Sequence, residues 1–190
     1  MATLYHSPQS RSDTVVDLVR MLGADVEIRE VTIRRQDGSG EQDANNPHPE
    51  KKVPYLVDGD EHVRERGAII LYLTDGHPQA KLGPLPGEKG RGAYLSWLLY
   101  YQGVMEPVLI LKWAGVTHSV VTDGLGDEER MLEQLTAALR KGPWLLGDQF
   151  SAADMLCSSP FQWFGDSLPA GPEIRDWVDR CAARVAEATA

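Results

Sequence analysis

Val53-Pro54-Tyr55-Leu56-Val57-Asp58-Gly59-Asp60-Glu61-His62-Val63-Arg64-Glu65-Arg66-Gly67-Ala68-Ile69-Ile70-Leu71-Tyr72-Leu73 is the stretch on which the fold turns. Residues 53–57 and 62–65 flank Asp58-Gly59-Asp60, the residue types of a tight hairpin, so two paired strands are predicted. Gly67 to Leu73 then reads as a short buried helix, stopped by Asp75-Gly76-His77-Pro78.

Working back from the hairpin, residues 34–52 are polar, rich in Asp, Asn, Gly and Pro, and without periodicity, which predicts a surface loop. Before it lies a β-α-β opening. Ala2 to Tyr5 is strand-like, and Pro8 ends it. Val15, Val16, Leu18, Val19 and Leu22 give a helix its apolar face, and Gly23 stops that helix. Val26, Ile28, Val31 and Ile33 alternate with polar neighbours as a strand does.

Forward of Pro78, the Gly83, Pro84, Pro86 and Gly87 punctuation predicts a linker, and no strand pattern follows it. The second half is predicted helical. Its expected helices run from Arg91 to Ala114, with a kink at Pro107, then from Asp127 to Arg140, Ser151 to about Phe164, and Pro172 to Ala188.

Composition narrows the function. Of 190 residues, 42% are hydrophobic, enough for a full core, and 28 acidic against 19 basic residues leave a net charge of -9. That field repels phosphate backbones and anionic lipid surfaces, so neither a nucleic-acid nor a membrane partner is expected. The N-terminus has no basic region followed by an apolar run, and no stretch is apolar for the roughly 18 residues of a membrane span, so a soluble cytoplasmic protein is expected. Cys157 and Cys181 are the two cysteines, with no CxxC spacing and no His cluster. Neither a disulfide framework nor a metal site is implied.

The order β-α-β, loop, X-Pro hairpin, helix, helical half resembles the glutathione S-transferase superfamily. Three motifs carry the resemblance: Leu4-Tyr5-His6-Ser7-Pro8-Gln9-Ser10-Arg11-Ser12, Asn46-Pro47 through Lys52-Val53-Pro54-Tyr55-Leu56, and Glu65-Arg66-Gly67-Ala68-Ile69 with Tyr72-Leu73. Leu146-Gly147-Asp148-Gln149-Phe150-Ser151-Ala152-Ala153-Asp154 follows them in the helical half. The implied fold is an α/β thioredoxin-like domain over residues 1–77, a linker over 78–87, and an all-α domain over 88–190.

The resemblance also assigns roles. Pro54 would be a cis-proline, and Val53 would pair through its backbone with the cysteinyl part of glutathione. Glu65 and Arg66, at a helix N-terminus, would hold the γ-glutamyl group, where amides and the helix dipole favour a carboxylate. Relatives usually carry Ser where this chain has Arg66; the guanidinium either replaces the hydroxyl by a two-pronged carboxylate contact or points to solvent. Lys52, and after it His48 or Arg35, would meet the glycyl carboxylate.

Ser10 stands where serine-type members hold the hydroxyl that donates to the glutathione sulfur, and Ser12 and then Tyr5 are its alternatives. A free thiol is only about 3% ionised at pH 7, so such a donor matters. Ser10 also has the spacing of a helix N-cap before Asp13. Arg11 occupies the place of the cysteine used by some bacterial relatives, which disfavours mixed-disulfide chemistry there.

Ser151 to Asp154 has capping-box spacing and a structural role. Trp97, Tyr100, Tyr101, Met105 and Trp113 either line an apolar substrate pocket or form plain core. The implied activity is conjugation of glutathione, as co-substrate and without a metal, to a small apolar electrophile by a homodimer. A glutathione-dependent isomerase, dehalogenase or peroxidase, and a non-enzymatic binding protein, are the alternatives.

Overall fold

The structure, a computed structural model, describes residues 1–189; Ala190, the last residue of the expected helical half, lies outside them. The chain folds as two compact units, residues 1–80 and 81–188.

The first unit is built on a four-stranded mixed sheet. Strand β1 (Ala2–His6) pairs in parallel with β2 (Val26–Glu30), and the helix α1 (Asp13–Leu22) connects them. On its other edge β1 pairs antiparallel with β3 (Tyr55–Asp58), which forms a hairpin with β4 (Glu61–Arg64), giving the order β2-β1-β3-β4. Gly59, at a φ of 59°, takes the first place of the two-residue turn. The expected second strand reached Ile33, but β2 ends at Glu30. Its partner has run out: His6 faces Glu30 in the register, and Ser7-Pro8 follows.

Alternation across the sheet sorts the core. Leu4 and Leu56, directly opposed, are fully buried, as are Val15 of α1 and Ile69 of the helix α2 (Arg66–Gly76). On the other face Tyr5, Tyr55 and Val31 form a second cluster, against which Val53 and Val57 pack.

The second unit is helical: α3 (Arg91–Tyr100), a π turn (Tyr101–Met105), α4 (Glu106–Trp113), α5 (Ser119–Leu125), α6 (Glu128–Leu139), α7 (Ala152–Phe164) and α8 (Pro172–Thr189). Two points differ from the sequence reading. The kink expected at Pro107 is replaced by the π turn just before it, and Pro107 falls in the first turn of α4, where its missing N–H costs no hydrogen bond. Helix α5 was not anticipated; its seven residues bury none of their side chains, so it has no apolar stripe to read.

Asp154 anchors this unit. It is fully buried, and its carboxylate accepts from Leu145 N (2.8 Å), Trp177 Nε1 (3.0 Å), Ser151 N (2.9 Å) and Ser151 Oγ (3.0 Å). The expected capping box is part of this network. Burial pushes the carboxyl above its ordinary range, and the four donors oppose that by favouring the ionised form. Gly83 lies against the Tyr94 ring, where a Cβ would sit 2.8 Å from ring carbons.

Candidate active site

The loop between β1 and α1 is tied together by hydroxyls. The half-buried Ser10 lies with its Oγ 2.7 Å from Ser12 Oγ and accepts from Ser12 N at 3.1 Å. Its own N–H donates to Asp13 Oδ2 at 3.1 Å, while Asp13 N donates to the Ser10 carbonyl at 3.1 Å. The N-cap expected at Ser10 falls instead at Ser12, the residue before α1; Ser10 pairs reciprocally with Asp13 through its backbone and stays partly exposed.

Ser12 is different. It is 0% exposed, and its hydroxyl contacts only protein: His6 Nδ1 at 2.8 Å, Ser7 N and Ser7 O at 3.2 Å each, and Ser10 Oγ. Burial corrects its standing as an alternative sulfur donor. Tyr5 is also removed from that role, since its ring lies in the cluster with Val31 and Tyr55 and its hydroxyl accepts from Arg29 at 3.3 Å.

Arg35 is engaged by the protein itself. Its guanidinium donates to the Pro8 carbonyl at 2.8 Å and the Gln9 carbonyl at 2.9 Å, so a side chain from the polar loop grips the segment that leads into Ser10. Gln9 has a φ of 56°, in the left-handed region.

The approach to Pro54 is braced from within. Asn46, fully buried, donates from Nδ2 to the Lys52 carbonyl at 3.1 Å and accepts from His48 N at 3.0 Å. His48 is buried too, its Nδ1 accepting from Glu50 N at 2.9 Å and its ring set edge-on to Tyr55. Burial pulls its imidazole below the ordinary value, and it is a turn former rather than an open cation. The Lys52 ammonium is exposed and paired with Glu50, whose carboxyl it holds below the usual range. The Val53–Pro54 bond is cis.

Glu65 ends β4's side of the site in an unusual backbone state, φ 71° and ψ 126°, and its carbonyl accepts from Ile69 N at 3.0 Å as the N-cap of α2. Arg66, the first residue of α2, is 4% exposed. The reading in which its guanidinium points to solvent is therefore corrected: the chain folds over it. Among the described residues no three His, Cys, Asp or Glu side chains gather as a metal site requires, and no helix is long and apolar enough to cross a membrane.

Ser10, Val53, Pro54, Glu65 and Arg66 thus all belong to one unit built around β1, β3 and the N-terminus of α2. The family model for the glutathione S-transferase N-terminal domain matches residues 4–81, and that for the C-terminal domain matches residues 122–180. The chain belongs to the glutathione S-transferase superfamily. A glutathione transferase from Methylococcus capsulatus is 27% identical and superimposes with a TM-score of 0.78 over 100% of this chain and 97% of that one. A sphingomonad glutathione S-transferase solved in complex with glutathione is 26% identical, with a TM-score of 0.76 over 98% and 96% of the two chains. The Escherichia coli disulfide-bond oxidoreductase YfcG is 27% identical over 163 residues, 73% of this chain and 70% of that protein.

Within the helical unit, the aromatic candidates separate. Tyr101 and Met105 are sealed in the core, at 3% and 0% exposure. Trp97 and Tyr100 form a half-buried edge-on pair, and Trp113 is exposed. The sequence reading singled out neither the Arg35 grip nor the partnership of His6 with Ser12. Arg35 sits in a loop with no periodicity, and nothing in its neighbours announces a contact 26 residues back.

Proposed function

We propose that this chain is a glutathione transferase that binds glutathione, ionises its thiol and presents the thiolate to a small apolar electrophile. The observation that carries the reading is Ser10: of the three serines of the loop, Ser7 and Ser12 are buried and Ser10 alone is partly exposed, and one of its lone pairs is already taken by Ser12 N–H. A hydroxyl so engaged can still donate its proton to sulfur, and one hydrogen bond to a charged group, about 1.5 to 3 kcal/mol, lowers a thiol pKa by about one to two units. That makes most of the bound thiol nucleophilic at neutral pH.

The rest of the peptide is held by the same unit. Val53 offers backbone hydrogen bonds to the cysteinyl part, and the N-terminus of α2 with Glu65 and Arg66 receives the γ-glutamyl carboxylate and ammonium. Lys52 binds the glycyl carboxylate by exchanging Glu50 for it. The sulfur attacks the electrophilic carbon, the leaving group departs with the bonding electrons, and the thiol proton passes to solvent. The protein works as a cytoplasmic homodimer, and light scattering at micromolar concentration that reports about 21 kDa would overturn the dimer.

A second reading is glutathione-dependent disulfide reduction, favoured by the likeness to the oxidoreductase YfcG. There the glutathione thiolate attacks a disulfide sulfur, one thiolate leaves, and a second glutathione resolves the mixed disulfide. The protein's own thiols take no part, since Cys157 and Cys181 are both buried and burial pushes the Cys181 thiol up. Parallel assays with glutathione and either a chloronitrobenzene or a hydroxyethyl disulfide separate the readings. Turnover of neither, together with an unchanged melting temperature in saturating glutathione, would leave a non-enzymatic binding protein.

A further inference from the structure

The contacts of Ser12 Oγ exceed what one hydroxyl can satisfy in a single state. A hydroxyl has one proton and two lone pairs. Ser7 N–H, which can only donate, takes one lone pair. One lone pair and one proton remain for His6 Nδ1 at 2.8 Å and Ser10 Oγ at 2.7 Å, with the Ser7 carbonyl a more distant competitor at 3.2 Å. The chain His6–Ser12–Ser10 therefore has two polarities.

In the inward polarity Nδ1 carries no hydrogen. Ser12 donates to it, Ser10 donates to Ser12, and the Ser10 proton is spent inside the protein. In the outward polarity Nδ1 carries a hydrogen and donates to Ser12, and Ser12 donates to Ser10. Ser10 Oγ then has both lone pairs filled, by Ser12 N–H and Ser12 O–H, and its own proton is left for an acceptor outside the chain, such as the ligand.

We propose that His6 is a positioning residue which, by keeping a hydrogen on Nδ1, sets the outward polarity of the Ser12–Ser10 chain and so aims the Ser10 hydroxyl at the glutathione sulfur. The proposal rests on the role given to Ser10 above. The surroundings of the ring support it. Asp13 Oδ1 stands 3.9 Å from Nδ1 and favours a hydrogen on that nitrogen. Asp17 and Arg20 of α1 and Glu30 of β2 are the other charges acting on the ring, three carboxylates in all against one guanidinium. Burial draws the imidazole below its ordinary value, so at neutral pH the choice is between tautomers, not between charges.

The test is the pKa of the bound glutathione thiol, read from thiolate absorbance in the ultraviolet as pH is varied, with kcat and the glutathione KM measured alongside. His6→Phe keeps the ring's bulk and removes Nδ1; the thiol pKa is expected to rise by about one unit and kcat at neutral pH to fall about tenfold, with KM within about twofold. His6→Asn places an amide N–H where Nδ1 stood and should restore both, which lost packing alone would not explain. If His6→Phe does not fold, His6→Leu replaces it. A folded His6→Phe or His6→Leu with the wild-type thiol pKa, while Ser10→Ala raises it, overturns the proposal and leaves Ser10 in place. A Ser10→Ala protein with the wild-type thiol pKa overturns the underlying reading instead.

Discussion

The Arg35 guanidinium donates to the Gln9 carbonyl at 2.9 Å, and in the same grasp to the Pro8 carbonyl at 2.8 Å, across 26 residues of sequence. Two adjacent carbonyls suit a planar fork and not a single ammonium. Arg35→Ala is therefore expected to loosen the loop that carries Ser10. Because the contact is exposed, stability should drop by less than about 1 kcal/mol, while kcat falls about three- to tenfold. Arg35→Lys should not recover the rate. An Arg35→Ala enzyme with unaltered kcat would show that the grip serves the loop's shape alone.

Ser10→Ala removes the hydroxyl and leaves Val53, Glu65 and Arg66 untouched. The rate near neutral pH should fall about ten- to hundredfold, and the apparent thiol pKa should rise by about one to two units, with far less change in glutathione affinity. The side-chain acceptor for Ser12 N is lost as well, at about 1 kcal/mol, so folding is checked before kinetics. An intact pH profile in a folded variant would remove Ser10 from the chemistry.

Glu65 holds a φ of 71° with ψ at 126°, a backbone state that side-chain-bearing residues avoid. Glu65→Gly relieves that strain. The variant should be more stable than wild type by about 1 kcal/mol, after the greater chain entropy of glycine is set against the strain released. Its glutathione affinity should nonetheless fall, because the carboxylate proposed to meet the γ-glutamyl ammonium is gone. Chemical denaturation and calorimetric titration read the two effects separately, and movement of both in the same direction would contradict this division.

Asn46→Asp tests the brace beneath Lys52. The carboxylate can still accept from His48 N, but it cannot donate to the Lys52 carbonyl, and it places a charge where the side chain is fully buried. A loss of about 2 to 4 kcal/mol is expected, shrinking as pH is lowered and the carboxyl takes up its proton. A loss under about 1 kcal/mol would mean that the brace is dispensable.

Burial holds His6 and His48 below their ordinary value of 6.5, so each folded imidazole binds its proton less readily than in the unfolded chain. Unfolding then takes up protons between the folded values and 6.5. The contribution to stability is complete above 6.5 and is lost as pH falls through the folded values. Denaturation midpoints should decline as pH falls below the ordinary value of 6.5. His48→Asn, which keeps an acceptor for Glu50 N, should flatten part of that decline; an equally steep decline in the variant would assign the effect elsewhere.

The sheet and its helices were legible because their patterns are local. Val15 to Leu22 repeats at helical spacing before Gly23, and Asp58-Gly59-Asp60 is turn chemistry between two strand-like runs. The site was legible only in part. Ser10, Val53 and Glu65 lie in contiguous motifs, whereas the contacts that set their environment link distant residues: Arg35 to Pro8, Asn46 to Lys52, His6 to Ser12. The sequence left open whether Arg66 turns inward or to solvent, since an arginine at a helix start can do either until the chain around it is placed.

The π turn from Tyr101 to Met105 has a consequence for how this helical half tolerates changes in chain length. Such a turn takes in one residue more than an α-helical turn does, so α4 leaves it facing as though that residue were not there. Forced into unbroken α-helix, the present sequence would swing α4 by about 100°, and Val108 and Leu109 would rotate away from the interior they now occupy. Deleting Gly103, which is exposed, would instead keep both side chains inward, with Pro107 still interrupting the backbone ladder. The turn is thus slack in the helix: one amino acid can be lost there without the following helix turning its back on its core.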